Sequence, residues 1–287
     1  MARVAVVTDS TADIPPDLIK WHDIHVVPLN VRIGETVYED RVTITPGEFV
    51  RRLVESGEFP TTSQPPVGRF QQLYRELAAE HDAIISIHLS SRLSGTVQSA
   101  RLAREALGNP VPIVILDSRL ASMGLGFPVL QAARLALEDY PLDVIEHATR
   151  RAIEATHVMF YVDTLEYLRR GGRIGRAAEI IGSLLQLKPI LRMEEGIVVP
   201  FARTRTRPRA LAGLIDLVRE FPRIDQIAIL TTGQQHGEVE NLTNRLSDVC
   251  SESQMIVSEF SPVLASHLGP GAVGIAVYEG EALEHRP

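Results

Sequence analysis

Short apolar runs alternate with helical patterns along almost the whole chain. The runs at 4–8, 25–31, 83–89, 112–116, 158–162, 189–193, 197–201, 226–231, 255–260 and 274–278 are rich in Val and Ile and lack strict alternation. That pattern predicts strands covered on both faces in a mostly parallel sheet. Between the runs, apolar residues fall at helical spacing. Thr45-Pro46-Gly47-Glu48 has the form of a capping box with proline at the first helical position, opening a helix to about Glu55. Val67, Phe70, Tyr74, Leu77 and Ala78 form one helical stripe; Leu211, Leu214, Ile215, Val218 and Phe221 form another after Pro208. Glu195-Gly196 between two apolar runs reads as a hairpin turn, so the second half is not purely parallel. Two helical patterns in succession, 124–138 and 142–155, interrupt the alternation as a helix pair bridging two lobes would. The expectation is an α/β protein of two α/β lobes. The N-terminal lobe, 1–156, holds a mostly parallel sheet, and the C-terminal lobe, 157–287, a mixed one.

Composition narrows the class. A chain of 287 residues suggests roughly two domains at about 150 residues each, and at this size a core forms without disulfides or structural metals. The 36 acidic and 29 basic side chains leave a net charge of −7, which argues against nucleic acid as the main partner. Cys250 is the sole cysteine, excluding an intramolecular disulfide and any multi-cysteine metal site. The nine histidines show no metal-ligand spacing, and neither metal nor cofactor is expected. No secretory signal pattern follows Met1, and the charge-free stretch 120–133 contains Pro128 and is too short to span a bilayer. A soluble, cytoplasmic protein is expected; transient membrane contact is allowed, a membrane span is not.

Familiar catalytic signatures are missing: there is no G-x-S-x-G elbow, Walker A loop, H-E-x-x-H or Rossmann glycine fingerprint. Hydroxyl-rich turns stand at strand ends instead: Thr8-Asp9-Ser10-Thr11-Ala12-Asp13, Thr61-Thr62-Ser63-Gln64-Pro65, Ser90-Ser91-Arg92-Leu93-Ser94-Gly95-Thr96 and Asp117-Ser118. In an open α/β sheet they should share one rim, where ligands sit. Hydroxyls beside helix N-termini suit a carboxylate or phosphate. The turn 9–13 is read as capping and structural bonding. Thr62 and Ser94 are read toward a ligand, since each lies among more hydroxyls than one cap requires. Arg169, Arg170, Arg173 and Arg176 surround Gly171-Gly172, either as a solvated basic loop or as an anion grip. Arg203, Arg205, Arg207 and Arg209 alternate after a strand; if extended they form a docking patch for an acidic partner, or simply surface. His267, before Gly269-Pro270-Gly271, sits on a loop of the kind that reaches into a cleft.

In this order the segments resemble the DegV family. The resemblance rests on the opening Thr8-to-Asp13 segment, Thr62-Ser63-Gln64-Pro65, Leu93-Ser94-Gly95-Thr96, and Asp117-Ser118-Arg119 with Ser122-Met123-Gly124-Leu125-Gly126. It continues through Asp163-Thr164-Leu165-Glu166-Tyr167-Leu168-Arg169-Arg170-Gly171-Gly172-Arg173-Ile174, Lys188-Pro189-Ile190 and Gly269-Pro270-Gly271-Ala272. It implies that a long-chain fatty acid, such as palmitate or oleate, binds in a tunnel between the lobes. Thr62 and Ser94 would hold its carboxylate, with His267 and Arg170 nearby. It implies further that the protein has no turnover of its own and presents that carboxylate to a partner ATP-dependent fatty-acid kinase, which makes acyl phosphate for phospholipid synthesis. Arg173, Arg203 and Arg205 are the candidates for docking the partner. Two positions depart from the family pattern: Arg92 replaces a small residue, and Pro66-Val67 replaces Ser-Pro. Segments 123–130 and 180–187 would supply apolar surface for the tail. The alternative is a metal-independent enzyme acting on a small phosphorylated or carboxylated substrate, with Ser94 or His267 as nucleophile or base.

Overall fold

The computed structural model describes residues 3–108, 110–180, 188–233 and 236–280. The first half runs β1 (Val4–Asp9), α1 (Pro16–Trp21), β2 (Ile24–Val27), β3 (Asn30–Ile33), β4 (Thr36–Glu39), α2 (Pro46–Ser56) and β5 (Thr61–Ser63). It continues through α3 (Val67–Glu80), β6 (Ala83–His88), α4 (Thr96–Leu107), β7 (Ile113–Asp117), α5 (Met123–Leu137) and α6 (Leu142–Glu154). The second half adds β8 (Thr156–Tyr161), α7 (Glu166–Arg170), β9 (Lys188–Glu194), β10 (Ile197–Thr204) and α8 (Arg207–Arg219). It ends with β11 (Gln226–Thr231), α9 (His236–Leu246), β12 (Met255–Glu259), α10 (Pro262–Leu268) and β13 (Val273–Tyr278).

Among the described residues the strands form three sheets. The N-terminal one is wholly parallel, in the order β2-β1-β6-β7. Every residue of β1 and β6 is buried, which is why their sequences do not alternate. The C-terminal sheet is mixed, in the order β10-β9-β8-β13-β11-β12, with only the β11–β12 pair parallel. Glu195 and Gly196 join β9 to β10 with φ of 49° and 81°, the paired left-handed residues of a two-residue hairpin. The third sheet, β4-β3-β5, is small and antiparallel. It corrects the single strand expected over 25–31: Pro28 has no N–H to give a ladder, so the run breaks into β2 in the parallel sheet and β3 in the small one.

α5 lies between the two large sheets. Arg134 in its last turns is exposed, but Met123 to Val129 are all buried, so the first two turns of the helix are covered around their whole circumference rather than on one stripe. It packs with β1, β8 and β13, and Phe127 stacks on Tyr278 with ring centroids 6.0 Å apart. Gly124 permits this approach, since a Cβ there would run into the Val158 side chain. The charge-free stretch is thus an internal helix, and no described helix is long and apolar enough to cross a membrane.

Buried carboxylates stitch the halves together. Asp13, left-handed at φ 54°, accepts hydrogen bonds from Ser122 Oγ (2.6 Å), the Ser261 N–H (2.9 Å) and Arg41 Nη2 (3.1 Å). Asp40 accepts from Ser10 Oγ (2.6 Å) and the Val263 N–H (3.3 Å). Burial pushes Asp13 up to about 6, against the pull of Arg41, Ser122 and Ser261. Burial likewise pushes Asp40 up to about 7, against Ser10 and Arg41. A raised folded pKa means the native state holds protons that the unfolded chain has released. The stability these groups contribute is complete below the unfolded value of 3.8 and is lost as pH rises through 6 and 7. Asp40→Asn removes one such proton. Denaturant melts should therefore show the variant gaining about 2–3 kcal/mol relative to wild type between pH 5 and pH 7. Parallel pH profiles for the two proteins would contradict this account.

Candidate functional site

A cavity of about 380 Å³ opens where the three sheets meet. In the parallel sheet β1 is followed outward by β2 on one side and flanked by β6 on the other, and the crevice at such a reversal is the usual place for a ligand. The Asp9 carboxylate fills the crevice itself, accepting from Leu89 N–H (3.0 Å), Thr11 N–H (3.1 Å) and Thr11 Oγ1 (2.5 Å). The turn 9–13 is accordingly structural, and the open space lies beyond it. Leu89, Leu93 and Ala121 wall the cavity from the parallel side; Val158, Phe160, Met193 and Val198 wall it from the mixed sheet. Phe260, Val263, Leu264 and Leu268 close it around α10. A second depression of about 430 Å³ lies outside β8–β10, against Arg192, Phe201, Glu220 and Phe221, and shares Val158 and Met193 with the cavity.

Polar groups also line the cavity. Thr62, on the short strand β5 opposite Val31, has its Oγ1 2.9 Å from His267 Nε2. Ser94 lies before α4, its Oγ 2.9 Å from Thr96 Oγ1. Arg173 donates from Nε to Leu93 O (3.0 Å) and from Nη1 to Gly171 O (2.7 Å). His267 Nδ1 is shut off from solvent without a hydrogen-bond partner. Burial, helped by the Arg173 charge, pushes this imidazole down to about 4, so it is neutral at neutral pH. Gly171 is needed for the packing: a Cβ there would collide with the His267 ring. The polar lining therefore offers the hydroxyls of Thr62, Ser63, Ser94 and Ser122, the Gln64 amide, a neutral imidazole and one fixed cation, and no carboxylate lines the cavity among the described residues. Such a set suits an anionic oxygen group joined to an apolar body.

A model of the family described as "Uncharacterised protein, DegV family" matches residues 3–280. The chain belongs to the DegV family. Protein DegV of Bacillus subtilis is 37% identical over 277 residues, covering 95% of this chain and 98% of that protein. The fold is that of a DegV-family protein from Thermus thermophilus whose structure concerns fatty-acid binding: TM-score 0.89, 38% identity, covering 97% of this chain and 100% of that one. The crystal structure of DegV from Bacillus subtilis, called a fatty acid binding protein, superposes with a TM-score of 0.88 at 34% identity, covering 97% and 100%.

In this DegV-family chain the expected carboxylate ligands are only partly brought together. Thr62, Ser94 and His267 line one cavity. Arg170 does not: its Nε donates to Glu166 Oε1 (2.5 Å), and its guanidinium lies 3.7 Å from the Phe59 ring centroid. Arg173, expected on an outer docking patch, lines the cavity in its place. Arg203 and Arg205 are exposed, but the alternating row is broken. β10 ends at Thr204 and α8 starts at Arg207, where the guanidinium pairs with Asp163 (3.2 Å) and Glu238 (2.5 Å). Arg92, expected beside the head-group loop, donates to Glu195 O (3.0 Å), while Ser90 Oγ donates to Gly196 O (2.7 Å), so the loop pins the β9–β10 hairpin. Of the tail surface expected from 123–130, none lines the cavity; those side chains are spent on the core between the sheets. The residues 181–187 lie outside those described.

The enzyme alternative finds little geometry. Ser94 Oγ bonds Thr96, not His267, and no carboxylate bonds His267 Nδ1 to orient it as a base. A Ser–His–Asp chain does exist elsewhere: Ser86 Oγ is 2.7 Å from His88 Nε2, and His88 Nδ1 is 3.0 Å from Asp9 Oδ2. All three residues are 0% exposed, and Tyr74 donates to the Ser86 hydroxyl (2.7 Å). With no path for a substrate, it is a satisfied core network.

Proposed function

We propose that this chain binds a long-chain fatty acid in the cavity and presents its carboxylate to a separate ATP-dependent kinase for acyl-phosphate formation, without turnover of its own. The observation that carries the binding half is the composition of the cavity wall: aliphatic and aromatic side chains, together with Thr62, Ser94, His267 and Arg173. The fatty-acid-binding DegV relatives at 34–38% identity support the same ligand class. Burying a palmitate-length tail releases about 0.8 kcal/mol per CH₂, on the order of 10 kcal/mol before binding costs. A carboxylate taken from water loses several kcal/mol unless donors meet it; the two hydroxyls and the Arg173 charge would offset that loss. Mass spectrometry of the denatured, purified protein should detect bound fatty acid, or added palmitate or oleate should be taken up stoichiometrically. Lipid-free preparations that take up neither would end the proposal.

For presentation, the exposed arginines outside the cavity are the groups available to a partner. Arg170→Ala and Arg203→Ala are expected to leave fatty-acid affinity within about twofold, as for surface substitutions generally, while slowing acyl-phosphate formation by a fatty-acid kinase. A parallel loss of binding in both variants would contradict this division.

A further inference from the structure

We propose that Asp23, His25 and His81 form a binding site for a divalent transition-metal ion of the zinc type where β2 begins. One ligand atom from each lies within 4.8 Å of the others. His25 lies on β2 and Asp23 just before it, where the chain turns left-handed at φ 50° and brings its carboxylate close to the imidazoles. His81 arrives from the end of α3. Its Nδ1 is 3.2 Å from Leu77 O, leaving Nε2 for an ion; a backbone carbonyl holding the second ring nitrogen is a common support of metal-bound histidine. His25 Nε2 is buried and has no hydrogen-bond partner, an orphan that a metal bond would satisfy.

Two imidazoles and one carboxylate favour zinc, cobalt, nickel or copper over calcium or magnesium. Bonds near 2.0–2.1 Å place tetrahedral ligand atoms roughly 3.3 Å apart, so the three groups close inward by up to about 1.5 Å on binding. Asp23 is exposed and can supply much of that movement. A groove lined by His22, Asp23 and His81 gives an ion and its waters a way in. The site lies at the N-terminal end of β2, the opposite end of the parallel strands from the loop that carries Ser94. The ion would tie β2, at the sheet edge, to the end of α3. Its chemistry is independent of the fatty-acid proposal.

The test uses full-length, untagged protein stripped with chelator and titrated with Zn²⁺ by calorimetry and with Co²⁺ by visible absorption. One ion per chain is expected, with a rise in Tm. His25→Ala and His81→Gln should each weaken binding by at least about tenfold, whereas His147→Ala, an exposed histidine on α6, should leave it unchanged. Fatty-acid content should be the same in all variants. His81→Gln alters only the end of a helix, so it keeps the assay readable if His25→Ala does not fold. Absence of saturable one-to-one binding, or binding unchanged in His81→Gln, overturns the site.

Discussion

Thr62→Val and Ser94→Ala are each expected to weaken palmitate binding by about 1–3 kcal/mol, roughly 5- to 150-fold. Valine keeps the shape of Thr62 and removes only the hydroxyl, so the loss reports the polar contact and not the packing. The same change strips His267 Nε2 of its partner at 2.9 Å, in a setting where the ring is already held neutral. Because the substitutions leave the apolar walls intact, palmitate and oleate should lose equal affinity. The double variant should lose less than the sum, since both hydroxyls would serve one carboxylate. Displacement of a fluorescent fatty acid measures all three quantities. Unchanged affinity in both single variants, or a loss that depends on tail structure, would contradict the proposed head-group position.

Phe127→Ala is expected to cost about 3–5 kcal/mol of folding stability. The ring is 1% exposed, in the helix that both large sheets share, and it stacks on Tyr278 of β13. Its removal opens a void facing the two sheets at once, with little freedom for either to collapse into it. Val144→Ala, at an exposed position on α6, should stay within about 0.5 kcal/mol. Urea unfolding at fixed pH checks both, and a Phe127→Ala loss under 1 kcal/mol would mean that the junction contributes little to the fold.

Much of this architecture was legible in the chain because its strands are buried on both faces and its turns use residues with specific backbone chemistry. Thr45 caps α2 by accepting from the Glu48 N–H at 3.2 Å, one half of the expected capping box, while the Glu48 carboxylate accepts from Arg52 instead. The small sheet was not legible: β3, β4 and β5 are three or four residues long and largely polar. They are held by packing of Leu29 and Val31 with Val263 and Ala265, more than two hundred residues away. Thr62 could be singled out from its hydroxyl-rich run, but its place on a strand facing His267 could not. The exchange of Arg170 for Arg173 has a similar origin. α7 ends at Arg170, and the chain reverses through Gly171 and Gly172, the latter at φ 70°. The glycines mark where the short helix stops, but which arginine of the run then meets the cavity depends on how the turned chain packs against Leu93 and His267, which the run itself does not reveal. The grouping of Asp23, His25 and His81 likewise needs the edge of a sheet and the end of a helix to meet, which spacing along the chain does not reveal.

Val158 and Met193 are the partition between the cavity and the depression outside β8–β10. One of the two is an unbranched thioether side chain with three rotatable bonds. Were the proposed fatty acid to lie with its methyl end toward Met193, that end would meet a swinging door and not a brick wall, and an acyl chain a few carbons too long would spill outward beside Phe201. Length selection by the proposed binder would then be graded, and replacing Met193 with a stiff β-branched residue would sharpen it.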